Sequence, residues 1–164
     1  MTDSSGQIQI DNSQIANILR KIADMLEFQN ENSFKYRAYQ MAAETIDSMQ
    51  TPVSEMAEKG GAAELQKIPG IGKGISNQIL EIIQTGQSSY FAELTRVIPA
   101  SVLDLRSVSG IGLKTAQLLY RDFGVTGLDE LQRLVDGGGL TSVPGLGDKT
   151  IARIKSALTR IRSN

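Results

Sequence analysis

Apolar side chains recur along this chain at the spacing of helix faces, and glycine and proline mark where each face stops. Ile15, Ile18, Leu19, Ile22, Met25 and Leu26 follow an i, i+3, i+4, i+7 rhythm behind Asp11 or Asn12, either of which is a good N-cap; this predicts a helix to about Gln29. After a polar Asn30-Glu31-Asn32 turn, a second helix from Ser33 is expected to bury Phe34, Met41, Ala42 and Ile46. Thr51-Pro52 reads as an N-cap with proline in the first helical position, opening a short helix that Gly60-Gly61 ends. A run carrying Ile75, Ile79, Ile82 and Ile83 stops at Gly86, and a short helix from about Ser89 to Arg96 reaches Pro99. Further on, Ala116, Leu119, Tyr120 and Phe123 form a helix closed by Gly124, and Thr126 caps another up to Val135. The last helix is expected to bury Ile151, Ile154, Leu158 and Ile161. No strand pattern competes. The expected fold is therefore all-α, with two small helical domains at residues 11–98 and 99–164 behind a disordered tail at residues 1–10.

Three of these helices open in the same way. The segments Lys67-Ile68-Pro69-Gly70-Ile71-Gly72-Lys73-Gly74, Ser107-Val108-Ser109-Gly110-Ile111-Gly112-Leu113-Lys114 and Ser142-Val143-Pro144-Gly145-Leu146-Gly147-Asp148-Lys149 share one core: apolar, Pro or Ser, Gly, apolar, Gly, then Lys within two residues. The first glycines sit at 70, 110 and 145, giving periods of 40 and 35 residues, in the range of modular repeats. Paired glycines permit positive φ and remove the Cβ atoms that would hold a ligand away from the backbone. The helix that begins at once presents N–H groups without partners and the positive end of its dipole, which together make an anion site. Ile71, Ile111 and Leu146, between the glycines, are expected to point inward and anchor each hairpin. Lysine is unfavourable at that end of a helix, so its recurrence suggests a ligand that outweighs the mismatch. Phosphate is the natural anion, and three such sites suggest a polynucleotide backbone. Against this stands the plain alternative that each hairpin only connects two helices. The dinucleotide fingerprint is ruled out because no strand precedes any copy, and the nucleotide-hydrolase loop because no Gly-Lys-Ser/Thr follows four intervening residues.

Composition narrows the chemistry. The chain of 164 residues has neither cysteine nor histidine, which excludes disulfides, thiolate sites, imidazole bases, Ser–His–Asp chemistry and most transition-metal centres. No apolar run reaches membrane-spanning length, and Met1 to Gly6 lacks the basic and apolar regions of a signal peptide, so a cytoplasmic location is expected, at the nucleoid in a bacterium. The net charge of −1 conceals an asymmetry: residues 1–98 hold 8 basic and 12 acidic side chains, residues 99–164 hold 9 basic and 6 acidic. A binder of nucleic acid concentrates its positive charge, and the C-terminal part does so. Overall acidity favours modest, localised backbone contacts. Lys149, Arg153 and Arg160 share the polar face of the last helix, either as a continuation of the binding track or as a solvated face.

The residues resemble a known family. Ile22-Ala23-Asp24-Met25-Leu26-Glu27, then Asn32-Ser33-Phe34-Lys35-Tyr36-Arg37-Ala38-Tyr39 and Ala42-Ala43, look like the N-terminal domain of family X DNA polymerases, closest to the bacterial branch. The three hairpins match that family's helix-hairpin-helix motifs in order and spacing, and Gly72-Lys73-Gly74-Ile75-Ser76, Thr85-Gly86 and Leu118-Leu119-Tyr120-Arg121-Asp122-Phe123-Gly124 are also similar. The resemblance covers nearly all of residues 12–162 and ends where the family's palm, with its metal-binding aspartates, would begin. It implies a first domain that binds a 5′-phosphate at a gap and a second that grips duplex DNA. It also implies a monovalent cation (K⁺ or Na⁺) held by the backbone carbonyls of Ile68 and Ile71, Val108 and Ile111, and Val143 and Leu146. Lys35 and Tyr39 match the family's phosphate pocket, with Lys73 within reach of it. The lysine that the family's eukaryotic repair members use as a Schiff-base nucleophile corresponds to Gln78, which cannot form an imine, and a further pocket lysine corresponds to Gly74.

The reading is a non-catalytic, sequence-independent DNA-binding module for gapped, nicked or junction DNA in repair. It would act alone or beside a polymerase or nuclease domain or other repair proteins, and not at a membrane. Backbone amides at Gly70, Gly72 and Gly74, at Gly110 and Gly112, and at Gly145 and Gly147 would hold phosphates, with Lys73, Lys114, Lys149, Arg153 and Arg160 adding charge. Two alternatives come from other classes: a 5′-deoxyribose-phosphate or abasic-site lyase using Lys35 or Lys73, and a protein-interaction scaffold whose hairpins are structural only.

Overall fold

A computed structural model of the protein describes residues 9–163. It is helical, with no strand among the described residues. Residues 1–8 of the expected tail lie outside that range, while Ile10 already packs against the N-terminal core. The chain divides into two compact units between Arg96 and Val97.

The first unit contains α1 (Asn12–Phe28), α2 (Ser33–Ser48), α3 (Val53–Leu65), α4 (Lys73–Thr85) and most of α5 (Ser89–Val97). Asp11 closes a capping box: its carboxylate accepts from the Gln14 amide at 2.8 Å, and the Gln14 side chain accepts from the Asp11 amide at 2.9 Å. After α1, Asn30 takes the left-handed conformation at φ 60°, which asparagine tolerates better than other non-glycine residues. Asn32 then caps α2 by accepting from the Phe34 amide at 2.8 Å. Ile15, Leu19, Ile22 and Leu26 of α1 form a fully buried core with Tyr39, Ala42, Ala43 and Ile46 of α2 and Ile75, Ile79 and Ile82 of α4.

Several local expectations yield to tertiary context here. Phe34 and Met41 do not enter the core; they are 81% and 61% exposed, because the buried face of α2 is set by Tyr39, Ala42, Ala43 and Ile46 instead. Thr51 does not cap α3. Pro52 occupies the cap position without a side-chain bond, and the amide of Val53 donates to Asn12 of α1 at 2.8 Å, a cap supplied from across the fold. The glycine pair at 60–61 does break the helix: Gly61 leaves helical geometry at φ 59° and ψ −144°, and a second short helical stretch runs on to Leu65. Glu81 of α4 fastens the start of α5. It accepts from the hydroxyl and amide of Ser89 at 2.7 and 2.6 Å, and these bonds hold its carboxyl below the usual value.

The second unit contains a 3₁₀ segment (Ala100–Ser107), α6 (Leu113–Phe123), α7 (Leu128–Asp136), a 3₁₀ turn (Gly139–Ser142) and α8 (Asp148–Arg162). Val102, Leu105, Leu119, Leu131, Leu140, Ile154 and Leu158 are buried within it. Gly124 ends α6 in the left-handed conformation at φ 65°, whereas Thr126 does not cap α7. Gly127 holds the cap position of α7, and the Thr126 carbonyl accepts from the Ser101 hydroxyl. Gly139 is required sterically, because a Cβ there would sit 2.3 Å from Leu134 Cδ1. Ile161 is half-buried rather than buried. Arg162 pairs with Asp129 at 2.9 Å, tying α8 to α7.

Candidate nucleic-acid interface

The three glycine segments fold into one repeated turn. In each, the residue after the second position donates its amide across a type II turn: Ile71 to the Ile68 carbonyl at 3.1 Å, Ile111 to Val108 at 3.0 Å, and Leu146 to Val143 at 3.3 Å. Gly70, Gly110 and Gly145 occupy the position that requires positive φ, with values of 84°, 99° and 85°. Two residues later Gly72, Gly112 and Gly147 cap the next helix, accepting from Ser76, Ala116 and Ile151 at 2.9 Å. None of these caps carries a side-chain bond, so the first amides of α4, α6 and α8 are left to an outside acceptor.

Only the first glycine of each pair is explained by the fold. Gly72, Gly112 and Gly147 have φ between −87° and −93° with ψ near 180°, extended backbone that any residue adopts. A Cβ added to any of them meets nothing within 4 Å. The chain itself does not ask for glycine there, and its absence of a Cβ leaves the backbone open to close approach.

The copies are not equivalent. Ile71 and Ile111 are buried as anchors, while Leu146 is only half-buried. Lys73 is exposed in the first turn of α4 and Lys114 in the first turn of α6. In the third copy Asp148 takes the first position of α8, ahead of Lys149. Its carboxylate answers the helix dipole and would repel an anion, which sets the third turn apart from the first two. Hairpin 1 is braced from behind by Ser76, fully buried, which donates to the Lys73 carbonyl at 2.8 Å. Hairpin 2 is braced by α8: a Cβ on Gly110 would lie 2.9 Å from Ile154 Cγ1 and 3.4 Å from the Thr150 carbonyl.

In the first unit, Lys35 and Tyr39 share one face of α2 and meet Tyr90 of α5. The Lys35 ammonium lies 5.4 Å from the centre of the Tyr90 ring, and the rings of Tyr39 and Tyr90 lie 6.0 Å apart. The Tyr90 hydroxyl is buried with no partner in bonding geometry, yet its nearness to Lys35 is the main influence holding that ammonium above its ordinary value, against a smaller pull from desolvation. Burial, and then Tyr90, pushes the Tyr39 phenol up to about 12. The cluster therefore combines a held cation with a neutral phenol donor. Tyr90 was not marked by the sequence, where Tyr90, Leu94 and Val97 read as one apolar face of a short helix and nothing local ties it to Lys35. Among the described residues, no side-chain bond joins Lys73 to Lys35 or Tyr39. Gln78 is engaged structurally: its side-chain oxygen accepts from the buried Ser88 hydroxyl at 3.2 Å, and Ser88 caps α5 by accepting from the Phe91 amide at 3.1 Å.

Each hairpin also offers two carbonyls to a cation. Those of Ile68, Val108 and Val143 already accept the turn bond, which leaves each a second lone pair, while Ile71, Ile111 and Leu146 follow on the other side of the turn. This neutral, all-oxygen donor set suits a hard monovalent ion and leaves most of its coordination to water or phosphate oxygen. Among the described residues, no group of three or more His, Cys, Asp or Glu could hold a metal ion, and no helix is long and apolar enough to cross a membrane.

Residues 10–88 match the family described as a helix-hairpin-helix domain, and residues 102–160 match a SAM-like helix-hairpin-helix tandem. The DNA polymerase/3′-5′ exonuclease PolX of Bacillus subtilis is 29% identical over 144 residues, 88% of this chain and 24% of that protein. DNA polymerase lambda of the rat is 29% identical over 135 residues, 80% of this chain and 22% of that protein. The DNA nucleotidylexotransferase of Ambystoma mexicanum is 29% identical over 112 residues, 68% of this chain and 20% of that protein. The matched part is thus about a quarter or less of each relative's length.

Proposed function

We propose, starting from helix-hairpin-helix domains that match the N-terminal region of family X DNA polymerases, that this chain holds DNA through its backbone phosphates and favours gapped, nicked or junction DNA in repair. The observation that carries this reading is the glycine at positions 72, 112 and 147, which the fold does not require and a close-lying phosphate does. The amides that open α4 and α6 would donate to phosphate oxygens, with Lys73 and Lys114 adding charge. The carbonyls of Ile68, Ile71, Val108 and Ile111 would share a monovalent cation with the same phosphate, and Val143 and Leu146 would do so more weakly beside Asp148. Readout is of DNA structure rather than sequence, because amides and lysines contact phosphates and not base edges.

Lys35, Tyr39 and Tyr90 form the proposed pocket for a 5′-phosphate at a gap, with Lys73 at its hairpin side. The raised Lys35 value supports this use, since the amine stays protonated and pairs with phosphate. The same shift disfavours Lys35 as a Schiff-base nucleophile, which must be neutral to attack, and Gln78 cannot serve in its place. Chromosomal DNA is the proposed partner, together with a polymerase or nuclease activity acting at the same gap.

The test is fluorescence anisotropy with gapped, nicked, blunt duplex and single-stranded DNA, with and without a 5′-phosphate, across a salt series. Preference for the phosphorylated gap, with a salt slope of a few counterions, is the expected result. Equal or absent binding to all substrates would leave the hairpins as mere helix connections. Borohydride treatment on abasic DNA should trap no adduct; a trapped adduct would reinstate the lyase reading.

A further inference from the structure

We propose that the second unit carries a composite subsite for one DNA backbone phosphate and its sugar, formed by Ser109 of the second hairpin and Arg160 of α8. The proposal rests on the DNA-binding reading and adds to it a site made of side chains from two elements, separate from the hairpin amides.

A cavity of about 240 Å³ lies between them, lined by Ser107, Ser109, Ala157, Arg160 and Ile161. Its parts are specialised. Ala157 and Ile161 supply an apolar wall, against which a deoxyribose ring can pack. Ser107 is committed elsewhere, donating its hydroxyl to the Asp104 carbonyl at 2.6 Å. That leaves Ser109 and Arg160 as the polar lining residues with uncommitted side chains. Ser109 stands at the turn position that Pro69 and Pro144 occupy in the other two copies, so this hairpin alone brings a hydroxyl there.

Arg160 and Arg162 lie two residues apart and differ in their circumstances. Arg162 is engaged with Asp129 at 2.9 Å, while Arg160 is exposed and makes no ion pair among the described residues. The seating is rigid, because α8 rests directly on the turn through Ile154 and Thr150 at Gly110. A guanidinium and a hydroxyl lining one open cleft with an apolar wall match a phosphodiester: two N–H donors for its oxygens, one O–H donor, and an apolar surface for the sugar. The third glycine repeat thereby acquires a role that does not need its own anion site. It starts the helix that supports the second hairpin and delivers Arg160 to it.

The experiment measures the affinity of the full chain for gapped duplex across a salt series, comparing R160Q, S109A, S109P and R162Q. Proline at 109 tests the hydroxyl without breaking the turn, which accepts proline in the other copies. R160Q should weaken binding roughly tenfold at low salt and lower the log–log salt slope by about 0.9, one phosphate's worth. S109A and S109P should each weaken it by about two- to fivefold with the slope kept. R162Q, which removes the same charge from the same helix, should keep the wild-type slope. Unchanged thermal melting of R160Q and S109A separates lost binding from lost fold. If R160Q and R162Q lower the slope equally, the effect is bulk charge and the subsite is refuted. If the wild type binds and Gly112→Ser weakens it while R160Q and S109A behave as wild type, only the subsite falls. If the wild type does not bind DNA, both readings fall.

Discussion

Gly72→Ser should leave the first unit at least as stable as before while weakening its grip on DNA. Gly72 caps α4 at φ −92° and ψ −172°, an ordinary extended conformation, and a Cβ there meets nothing within 4 Å. Serine is better than glycine at an N-cap by a few tenths of a kcal/mol, and restricting the unfolded chain adds about 0.4–1 kcal/mol. The sum, roughly 0.6–1.4 kcal/mol, corresponds to a rise of several degrees in Tm. The new hydroxyl, however, accepts from the amide of Gly74 or Ile75, one of the donors a phosphate would use, and its Cβ stands in the approach. Losing a hydrogen bond to a charged group costs about 1.5–3 kcal/mol, a tenfold or greater loss of affinity. Gly70→Ser provides the contrast. At φ 84° it forces a side chain into the left-handed region at a cost of about 1–2 kcal/mol, so the unit should melt earlier. Circular dichroism melts paired with anisotropy on gapped duplex read both quantities. A Gly72→Ser protein that melts higher and binds DNA as the wild type does would refute the use of the hairpin amides.

Three further outcomes follow from the same geometry. Lys35→Met should abolish the preference for a 5′-phosphorylated gap, and Tyr90→Leu should reduce it by about two- to fivefold through loss of the ring beneath the ammonium, with affinity for the unphosphorylated gap kept in both. Equal loss on both substrates would count against the pocket. On the alkaline side, Tyr39 holds its proton to about pH 12 in the fold against 10.0 when unfolded, and Lys35 is raised as well. The Tyr39 contribution is therefore complete below about pH 10 and is lost as pH rises towards 12, and that of Lys35 is lost on the same alkaline side; Tyr39→Phe should remove the tyrosine part, read by melts across that range. Phe34→Ser, at an 81% exposed position, should cost less than about 0.5 kcal/mol, whereas Ile79→Ala in the closed core should cost about 2–5 kcal/mol in urea unfolding.

The sequence by itself determined what depends on near neighbours in the chain. Helix periodicity, a cap at Asp11 or Asn12, the glycine stops at Gly86 and Gly124, and the triple hairpin were all legible, because turn chemistry and a 3.6-residue period act over a few residues. Tertiary structure decided whatever depends on which face meets which. Phe34 and Met41 fit a helix pattern equally well inside or outside, and only the packing of Tyr39, Ala42, Ala43 and Ile46 excluded them from the core. The cap of α3 came from Asn12, 41 residues before the amide it receives, at a separation no local motif encodes. Tyr90 joined Lys35 because α5 folds back beside α2. Arg160, which periodicity places on an open face of α8, gained Ser109 as a neighbour only because Gly110 lets that helix rest on the second turn. Local rules write the elements and the glycine turns, while contacts distant in sequence choose which side chains stand beside those turns.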